Sequence, residues 1–308
     1  MTSSGLVSGI LLIDKPLGLT SHDVVAKTRR AAGTRKVGHA GTLDPLATGL
    51  LVLGVNSSTR LLTYVVGLDK EYEATIRLGA GTTTDDAEGE FINTAPAGAV
   101  EALEPAAIHA ALAGLTGAVL QRPSSVSAIK VDGRRAYARV RLGETVVLDA
   151  RPVTIAALDL LASRPAADAN GAAVLDLDVH VTCSSGTYIR AIARDLGEAL
   201  GVGGHLTALR RTRIGPFGVD RAQTIESLDP ARDLLKPAEV AAELFTVAHL
   251  DAQQSADLRN GKKIPIDGPA QTTIAAVDPE GSLIGLFEVK NGVARVLVNF
   301  PADEGSIT

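Results

Sequence analysis

The chain has 308 residues, of which 45% are hydrophobic and 21% are charged, a composition that excludes a largely disordered protein and allows two domains. No apolar stretch is long enough to cross a bilayer and no secretory signal stands at the N-terminus, so we expect a cytoplasmic protein with no membrane association. Cys183 is the single cysteine, which excludes an internal disulfide and a cysteine-based metal site.

The first third of the chain alternates short apolar runs with polar turns. Residues 9–14 (GILLID) predict a strand, and Thr20 with Asp23 predicts a capped helix start. That helix is expected to run to about Ala32 and to stop at Gly33. The pattern then predicts a strand at 50–53, a short helix at 57–64, a half-buried strand at 70–78, a turn at 85–89 and a helix at 105–114.

The rest of the chain begins with a basic segment, 121–142, which contains Pro123 and Gly133 and little core material. We interpret it as an excursion from the main domain that does not join its sheet. Strands are predicted at 146–161, 174–182 and 205–213, with an amphipathic helix after Gly186 and a helix with a linker at 230–244. Residues 245–300 contain short β-like runs broken by glycine, typical of a small β domain. Strands and helices mix without regular βαβ alternation, which favours an α+β fold.

Basic residues are clustered although the formal net charge is −5. One such cluster is usually a solvated surface, whereas three beside candidate functional motifs favour phosphate binding. The clusters are Lys15, Lys27, Arg29, Arg30, Arg35 and Lys36; Arg122, Lys130, Arg134, Arg135, Arg139 and Arg141; and Arg210, Arg211 and Arg213.

The most informative stretch is residues 38–51 (GHAGTLDPLATGLL). It places one carboxylate, Asp44, before Pro45, which fixes its own φ and keeps Asp44 out of the helical region. A carboxylate on a stiff turn beside a buried strand can act as a nucleophile, a general base or a metal ligand. From the local pattern alone, an Asp-Pro turn on the surface is the better explanation.

This stretch resembles the catalytic motif of the TruB family of pseudouridine synthases. The resemblance covers about residues 9–217, with four motifs in the expected order. It implies a pseudouridine synthase catalytic domain at 1–235, with a mixed, largely antiparallel central sheet and a thumb-like excursion at 121–142. It also implies a small PUA-like β domain at 245–308, and the chain looks like a bacterial, actinobacterial-type member of the family.

The resemblance assigns the catalytic residues. Asp44 corresponds to the nucleophile, and Arg190, in 183–190 (CSSGTYIR), to the arginine that pairs with it. Tyr72, in 70–74 (KEYEA), corresponds to the active-site tyrosine, which can stack on a flipped base or handle a proton. From the residues alone, an exposed helix arginine is the better explanation of Arg190, and cross-strand packing is an alternative for Tyr72.

The resemblance also assigns substrate-binding residues, all of which have ordinary structural alternatives. His39 corresponds to a position that holds the disrupted RNA loop, and Leu209 to a substrate-contacting leucine. Asp86 aligns with a family acid, although a solvated turn explains it as well. Tyr188 and Tyr72 are expected near the base, and Lys130 opens the excursion that resembles the RNA-gripping thumb.

The implied function is isomerisation of the uridine at position 55 in the TΨC loop of tRNA. The expected partner is the tRNA T-arm, with no protein partner and a monomeric state. No glycine-rich phosphate loop follows a predicted strand, so no nucleotide cofactor is expected, and no metal site stands out. The alternatives are a guide-RNA-dependent synthase, whose motif usually continues Pro-Lys-Val where this chain has 45–47 (PLA), a tRNA-binding folding chaperone, and a carboxylate-dependent hydrolase.

Two departures from the family pattern concern RNA contacts more than chemistry. Residues 123–126 read PSSV where the family usually has paired prolines and an aromatic residue, and Thr83 stands where an extra aspartate is common.

Overall fold

The computed structural model describes residues 8–124, 148–266 and 273–301, together with the backbone of Lys130–Val131 and Arg134–Arg135. The helices are α1 Ser21–Ala31, α2 Leu62–Val66, α3 Pro105–Gly114, α4 Ile189–Ala199, α5 Pro230–Asp233, α6 Pro237–Leu244 and α7 Ala252–Arg259, with 3-10 turns at Asn56–Leu61 and Val219–Arg221. The strands are β1 Gly9–Lys15, β2 Val37–Ala40, β3 Ala47–Val55, β4 Lys70–Leu78, β5 Ala80–Thr82, β6 Phe91–Thr94, β7 Gly117–Gln121, β8 Lys130–Val131, β9 Arg134–Arg135, β10 Arg151–Ala167, β11 Ala173–Cys183, β12 Gly204–Ile214, β13 Phe217–Gly218, β14 Gln223–Thr224, β15 Thr246–His249, β16 Ile274–Val277, β17 Leu283–Lys290 and β18 Val293–Asn299.

The chain forms two compact units, of which the first combines Met1–Pro45, Gly49–Val66 and Pro216–Thr308. In it, β1 runs antiparallel to β3 and parallel to β14, and β2 extends β3 on its other side. Helix α1 covers this sheet with Val24 and Val25, which pack against Leu11 and Leu53. The predicted capping box is confirmed, because Thr20 and Asp23 bond to each other's backbone N–H groups.

The first unit also contains the C-terminal four-stranded sheet, in the order β15-β16-β17-β18. Its core includes Leu258, Ile284 and Phe287, so the predicted small β fold of this region is confirmed. Helix α7 within it was not predicted. Its start is a capping box in which Asp251 and Gln254 each accept a backbone N–H from the other, and this signal is readable in the sequence.

The second unit combines Leu46–Thr48 and Gly67–Gly215. Its strands follow the order β12-β4-β11-β10-β7, and all four pairings are antiparallel. Helix α4 packs on β4 and β12. The approach requires glycine, since a Cβ at Gly197 would stand 2.1 Å from the backbone nitrogen of Gly204. With parallel and antiparallel pairs in one unit and antiparallel pairs in the other, the α+β class is confirmed.

Several element bounds differ from the predicted ones. Strand β10 runs to Ala167, because it pairs along the full length of β11 in a long hairpin. The segment predicted as a helix with a linker at 230–244 contains two helices, which are separate because Lys236 precedes a proline and adopts an extended conformation. Gln121 is a buried residue of β7 and not part of the basic excursion. In the part of the chain that is described, no helix is long and apolar enough to cross a membrane.

Candidate functional site

The Asp44 loop joins β2 to β3 and is held at several points within the first unit. Gly41 adopts a φ of 83°, a left-handed conformation that suits glycine. The Ser21 hydroxyl accepts a hydrogen bond from the N–H of Leu43 (2.8 Å) and donates one to its carbonyl oxygen (2.9 Å). The carbonyl oxygen of Pro45 accepts from the N–H of Gly18 at 2.9 Å. Asp44 is half-buried, so its carboxylate stands on a fixed turn.

Lys15 lies beneath this loop and is fully buried. Its Nζ donates hydrogen bonds to the carbonyl oxygens of Leu19 (2.6 Å), Pro16 (3.0 Å) and Pro45 (3.5 Å). A buried ammonium needs such partners, because its transfer from water is otherwise costly. The sequence placed Lys15 in the first basic cluster, as a candidate for phosphate binding, and its full burial shows that this expectation is wrong for Lys15. Its place at the end of a buried strand was the available signal.

His39 lies on β2, opposite Leu53 of β3, and is half-buried. Its ring meets the exposed His22 ring edge-on, with centroids 5.7 Å apart. The first unit therefore places the imidazole of His39, which precedes Asp44 in the same motif, next to that of His22.

Tyr72 and Leu209 lie on neighbouring strands of the second unit. Tyr72 pairs with Arg211, and Leu209 pairs with Ala74 two residues further along β4. Because paired and i, i+2 residues share a face of a sheet, Tyr72 and Leu209 are diagonal neighbours on one face. Tyr72 is buried and Leu209 half-buried. The Thr48 hydroxyl, from the Asp44 motif, donates a hydrogen bond to the carbonyl oxygen of Leu209 at 3.4 Å.

Arg190 lies in the first turn of α4 and is buried. Its Nη1 stands 3.2 Å from Oδ2 of Asp86 and donates to the carbonyl oxygen of Thr84 at 2.9 Å. Asp86 is only 2% exposed and accepts two further hydrogen bonds, from the Thr84 hydroxyl and the Glu88 N–H. The alternatives of an exposed helix arginine and of a solvated turn acid are therefore wrong.

A second acid–arginine pair lies beside the first. Asp85, which is buried and has a φ of 61°, pairs with Arg194 at 3.1 Å. Burial raises the pKa of the Asp85 carboxyl above its ordinary value, against the opposing effect of Arg194. This pair was not predicted from the sequence. The signal was present, since Arg190 and Arg194 are four residues apart on one helix face and Asp85 and Asp86 are adjacent.

The same loop holds the root of the basic excursion. Arg194 Nη2 donates to the carbonyl oxygen of Arg122 at 2.8 Å, and the Ser124 hydroxyl donates to the carbonyl oxygen of Thr84 at 3.1 Å. Beyond this root, Lys130 belongs by its backbone to β8, which pairs with β9 in a separate two-stranded ladder. The Lys130 side chain lies outside the described residues.

Tyr188 directly precedes α4 instead of lying within it, because its backbone is extended (φ −101°, ψ 108°). The Gln121 side chain fixes it by accepting from the Tyr188 N–H (2.8 Å) and donating to its carbonyl oxygen (3.0 Å). The Tyr188 ring is half-buried.

The third basic cluster does not present three solvated cations. Arg211 is 1% exposed, and Arg213 forms an ion pair with Glu71 at 2.6 Å. Near Arg211, burial lowers the pKa of Lys70 to about 8, and burial raises the pKa of its cross-strand neighbour Cys183 to about 11. Phosphate binding by this cluster, as expected from its sequence, is not supported.

No group of three or more His, Cys, Asp or Glu is placed to hold a metal ion within the described ranges.

Comparison with solved structures identifies the fold. Over 96% of this chain and 86% of the other, it matches "Structure of H/ACA RNP bound to a substrate RNA containing 2'-deoxyuridine" with a TM-score of 0.69 and 21% identity. A "Cbf5-Nop10-Gar1 Complex" matches with a TM-score of 0.68 at 22% identity, over 96% of this chain and 85% of that one. The fold is that of a pseudouridine synthase.

Sequence comparison is more specific. Residues 29–189 match the family described as "TruB family pseudouridylate synthase (N terminal domain)". Residues 190–247 match "tRNA pseudouridylate synthase B C-terminal domain", and residues 245–301 match "tRNA Pseudouridine synthase II, C terminal".

Two similar proteins carry the same name. The chain is 59% identical to "tRNA pseudouridine synthase B" of Leifsonia xyli subsp. xyli, over 96% of this chain and 98% of that protein. It is 54% identical to "tRNA pseudouridine synthase B" of an Arthrobacter species, over 97% and 99% of the two chains. The chain belongs to the TruB family of pseudouridylate synthases, and the resemblance found in its sequence is confirmed.

Proposed function

We propose that the protein isomerises the uridine at position 55 in the TΨC loop of tRNA to pseudouridine. The observation that carries this proposal is the 59% identity, over nearly the full length of both chains, to a protein named tRNA pseudouridine synthase B. The reaction breaks the N-glycosidic bond, turns the base and rejoins it to the ribose through C5. The target base is stacked in folded RNA and must first be flipped out.

Asp44 is proposed as the nucleophile. It is the sole acid of its motif, and Lys15, Ser21 and Gly18 fix the loop that carries it. A carboxylate in a rigid position loses little freedom when it attacks, which favours covalent catalysis.

Arg190 and Tyr72 are proposed as the other catalytic residues. An arginine beside the nucleophile favours its ionised form, and Arg190 has the burial that strengthens such an interaction. Its fork is already oriented by Asp86 and by the Thr84 carbonyl. Tyr72 provides an aromatic ring for stacking and a hydroxyl for proton transfer.

The remaining family positions are proposed to bind RNA. His39, Tyr188 and Leu209 would contact the disrupted loop and the flipped base, and Lys130 would contact phosphates from the excursion. Asp86 is proposed to act by positioning Arg190. We further propose a catalytic domain at 1–235, a PUA-like domain at 245–308, and a monomer that acts in the cytoplasm on the T-arm without a protein partner.

The test is incubation of the full chain with unmodified tRNA transcript, followed by mapping of pseudouridine. The expected product is pseudouridine at position 55, formed without any added guide RNA or protein. A transcript with cytidine at that position is the negative control. Product that forms only with a guide RNA supports the guide-dependent alternative, and tRNA binding or refolding without product supports the chaperone.

The role of Asp44 is tested with Asp44→Asn, which should abolish isomerisation and leave tRNA binding near the wild-type level. The exposed Asp149 offers a matched control, since Asp149→Asn should behave as wild type. Circular dichroism checks that both variants fold. Normal turnover by a folded Asp44→Asn variant contradicts the assignment.

A further inference from the structure

The end of α1 and the loop after it form a basic hollow. It has a volume of about 640 Å³ and is lined by Ala26, Arg29, Arg30, Gly33, Thr34 and Arg35. Arg29, Arg30 and Arg35 are exposed, as is the adjacent Lys36. We call these six lining residues with Lys36 the α1 hollow.

The α1 hollow lies in a segment with basic residues and no acidic ones. Between Asp23 and Asp44 the chain contains five basic residues and no acidic one, although acids outnumber bases over the whole chain, 35 to 30. Within the described part of the chain, Arg29, Arg30, Arg35 and Lys36 form no ion pair. Uncompensated like charges destabilise a folded surface, which favours an anionic partner.

Hydrogen bonds also fix the conformation of the α1 hollow. Arg29 Nη2 donates to the carbonyl oxygen of Val37 at 3.0 Å, which ties the last turn of α1 to the start of β2. Asn56 supports the loop from the other side, since its Oδ1 accepts from the Thr34 hydroxyl (2.9 Å) and its N–H donates to the carbonyl oxygen of Lys36 (2.7 Å). The loop that carries Arg35 is therefore ordered before any partner arrives, which lowers the entropic cost of binding.

The helix dipole explains only part of this arrangement. Cations in the last turn of a helix interact favourably with the helix dipole, which accounts for Arg29 and Arg30. Arg35 and Lys36 lie beyond the helix end, where this effect has faded.

We propose that the α1 hollow binds phosphates of the backbone of the RNA substrate. Guanidinium forks match phosphate oxygens bidentately, and the hollow is large enough for more than one phosphate group. Its identity as a site for the tRNA substrate rests on the proposed function. The site contributes affinity and salt dependence to binding and leaves the chemical step unchanged.

The test compares Arg30→Ala/Arg35→Ala/Lys36→Ala with a charge-matched control, Lys236→Ala/Lys263→Ala/Lys290→Ala, whose residues are also exposed. Arg29 is left in place because it supports the fold. The affinity of the full chain for unmodified tRNA is measured as a function of salt, and thermal unfolding confirms that both variants fold.

Each phosphate contact contributes about 0.7–0.9 to the slope of log affinity against log salt, so three contacts contribute about 2–3. The loss of affinity in the hollow variant should therefore be about 20- to 40-fold larger at about 50 mM salt than at about 200 mM. The control should keep the wild-type slope. Arg30→Lys/Arg35→Lys, which retains the charges, should keep most of it too.

A hollow variant with the wild-type affinity and slope overturns the inference, and so does a control that loses as much as the hollow variant. Pseudouridine formation by wild type is measured separately. If wild type binds tRNA and forms no pseudouridine, the proposed function fails while the salt slope still decides the inference. If wild type forms pseudouridine and the hollow variant binds normally, only the inference fails.

Discussion

The buried ion pair of Arg190 and Asp86 should contribute strongly to the free energy of unfolding. Asp86→Asn keeps the shape of the side chain and removes its charge, while Arg190 stays buried with its Thr84 hydrogen bond and its other contacts. At 3.2 Å, two unit charges interact by about 5 kcal/mol with an effective dielectric constant of 20. Removing one partner of a buried pair typically costs about 3–5 kcal/mol. We expect a loss of about 3 kcal/mol in the free energy of unfolding, since Arg190 keeps its other contacts.

The assay is urea unfolding followed by far-UV circular dichroism, because the chain has no tryptophan to report by fluorescence. The matched control is Asp195→Asn on the same helix, where the carboxylate pairs with Arg194 at 2.7 Å but is partly exposed. That pair should contribute at most about 1 kcal/mol. Adding Arg190→Met to Asp86→Asn should restore part of the loss. An Asp86→Asn loss no larger than that of the control refutes the reasoning.

Three further predictions concern single residues. Arg190→Ala should abolish pseudouridine formation. Arg190→Lys should restore only part of it, because the lysine ammonium lacks the planar fork of the arginine guanidinium. Full activity of both variants rules out the proposed role of Arg190. Cys183 should resist alkylation by iodoacetamide at pH 8 in the native protein and react in urea, because burial raises its pKa to about 11. Mass spectrometry measures the extent of alkylation. Burial lowers the pKa of Lys70 from 10.5 to about 8, so the unfolded chain binds this proton more tightly and stability should rise with pH from about 8 to 9.0, above which the raised pKa of the buried Cys183 thiol opposes the rise. Lys70→Met should flatten that rise in urea titrations, and an unchanged pH dependence contradicts it.

Local sequence patterns predicted most of the helices and strands. The alternation at 70–78 predicted β4, and Thr20 with Asp23 predicted the start of α1, because periodicity and capping depend on neighbouring residues only. The short strands β2, β7 and β14 were missed, since each is set by its pairing with a strand that is distant in sequence.

The sequence predicted the environment of the candidate site residues less well than the fold. The motif around Asp44 identified the family, and comparison confirmed it. Burial at Lys15, Asp86 and Arg211 could not be read from residue type, because a charged side chain enters a core only where the fold supplies partners. The assignment of catalytic and binding roles stays a prediction for the experiments described above.

The carbonyl oxygen of Thr84 accepts from Arg190 on one side and from Ser124 on the other. Its two lone pairs thus join α4 to the base of the excursion through one atom. The guanidinium at the other end of this arrangement is buried. A change at Ser124 that displaces this carbonyl oxygen would therefore also alter a hydrogen bond of Arg190, although the two side chains come from distant parts of the chain.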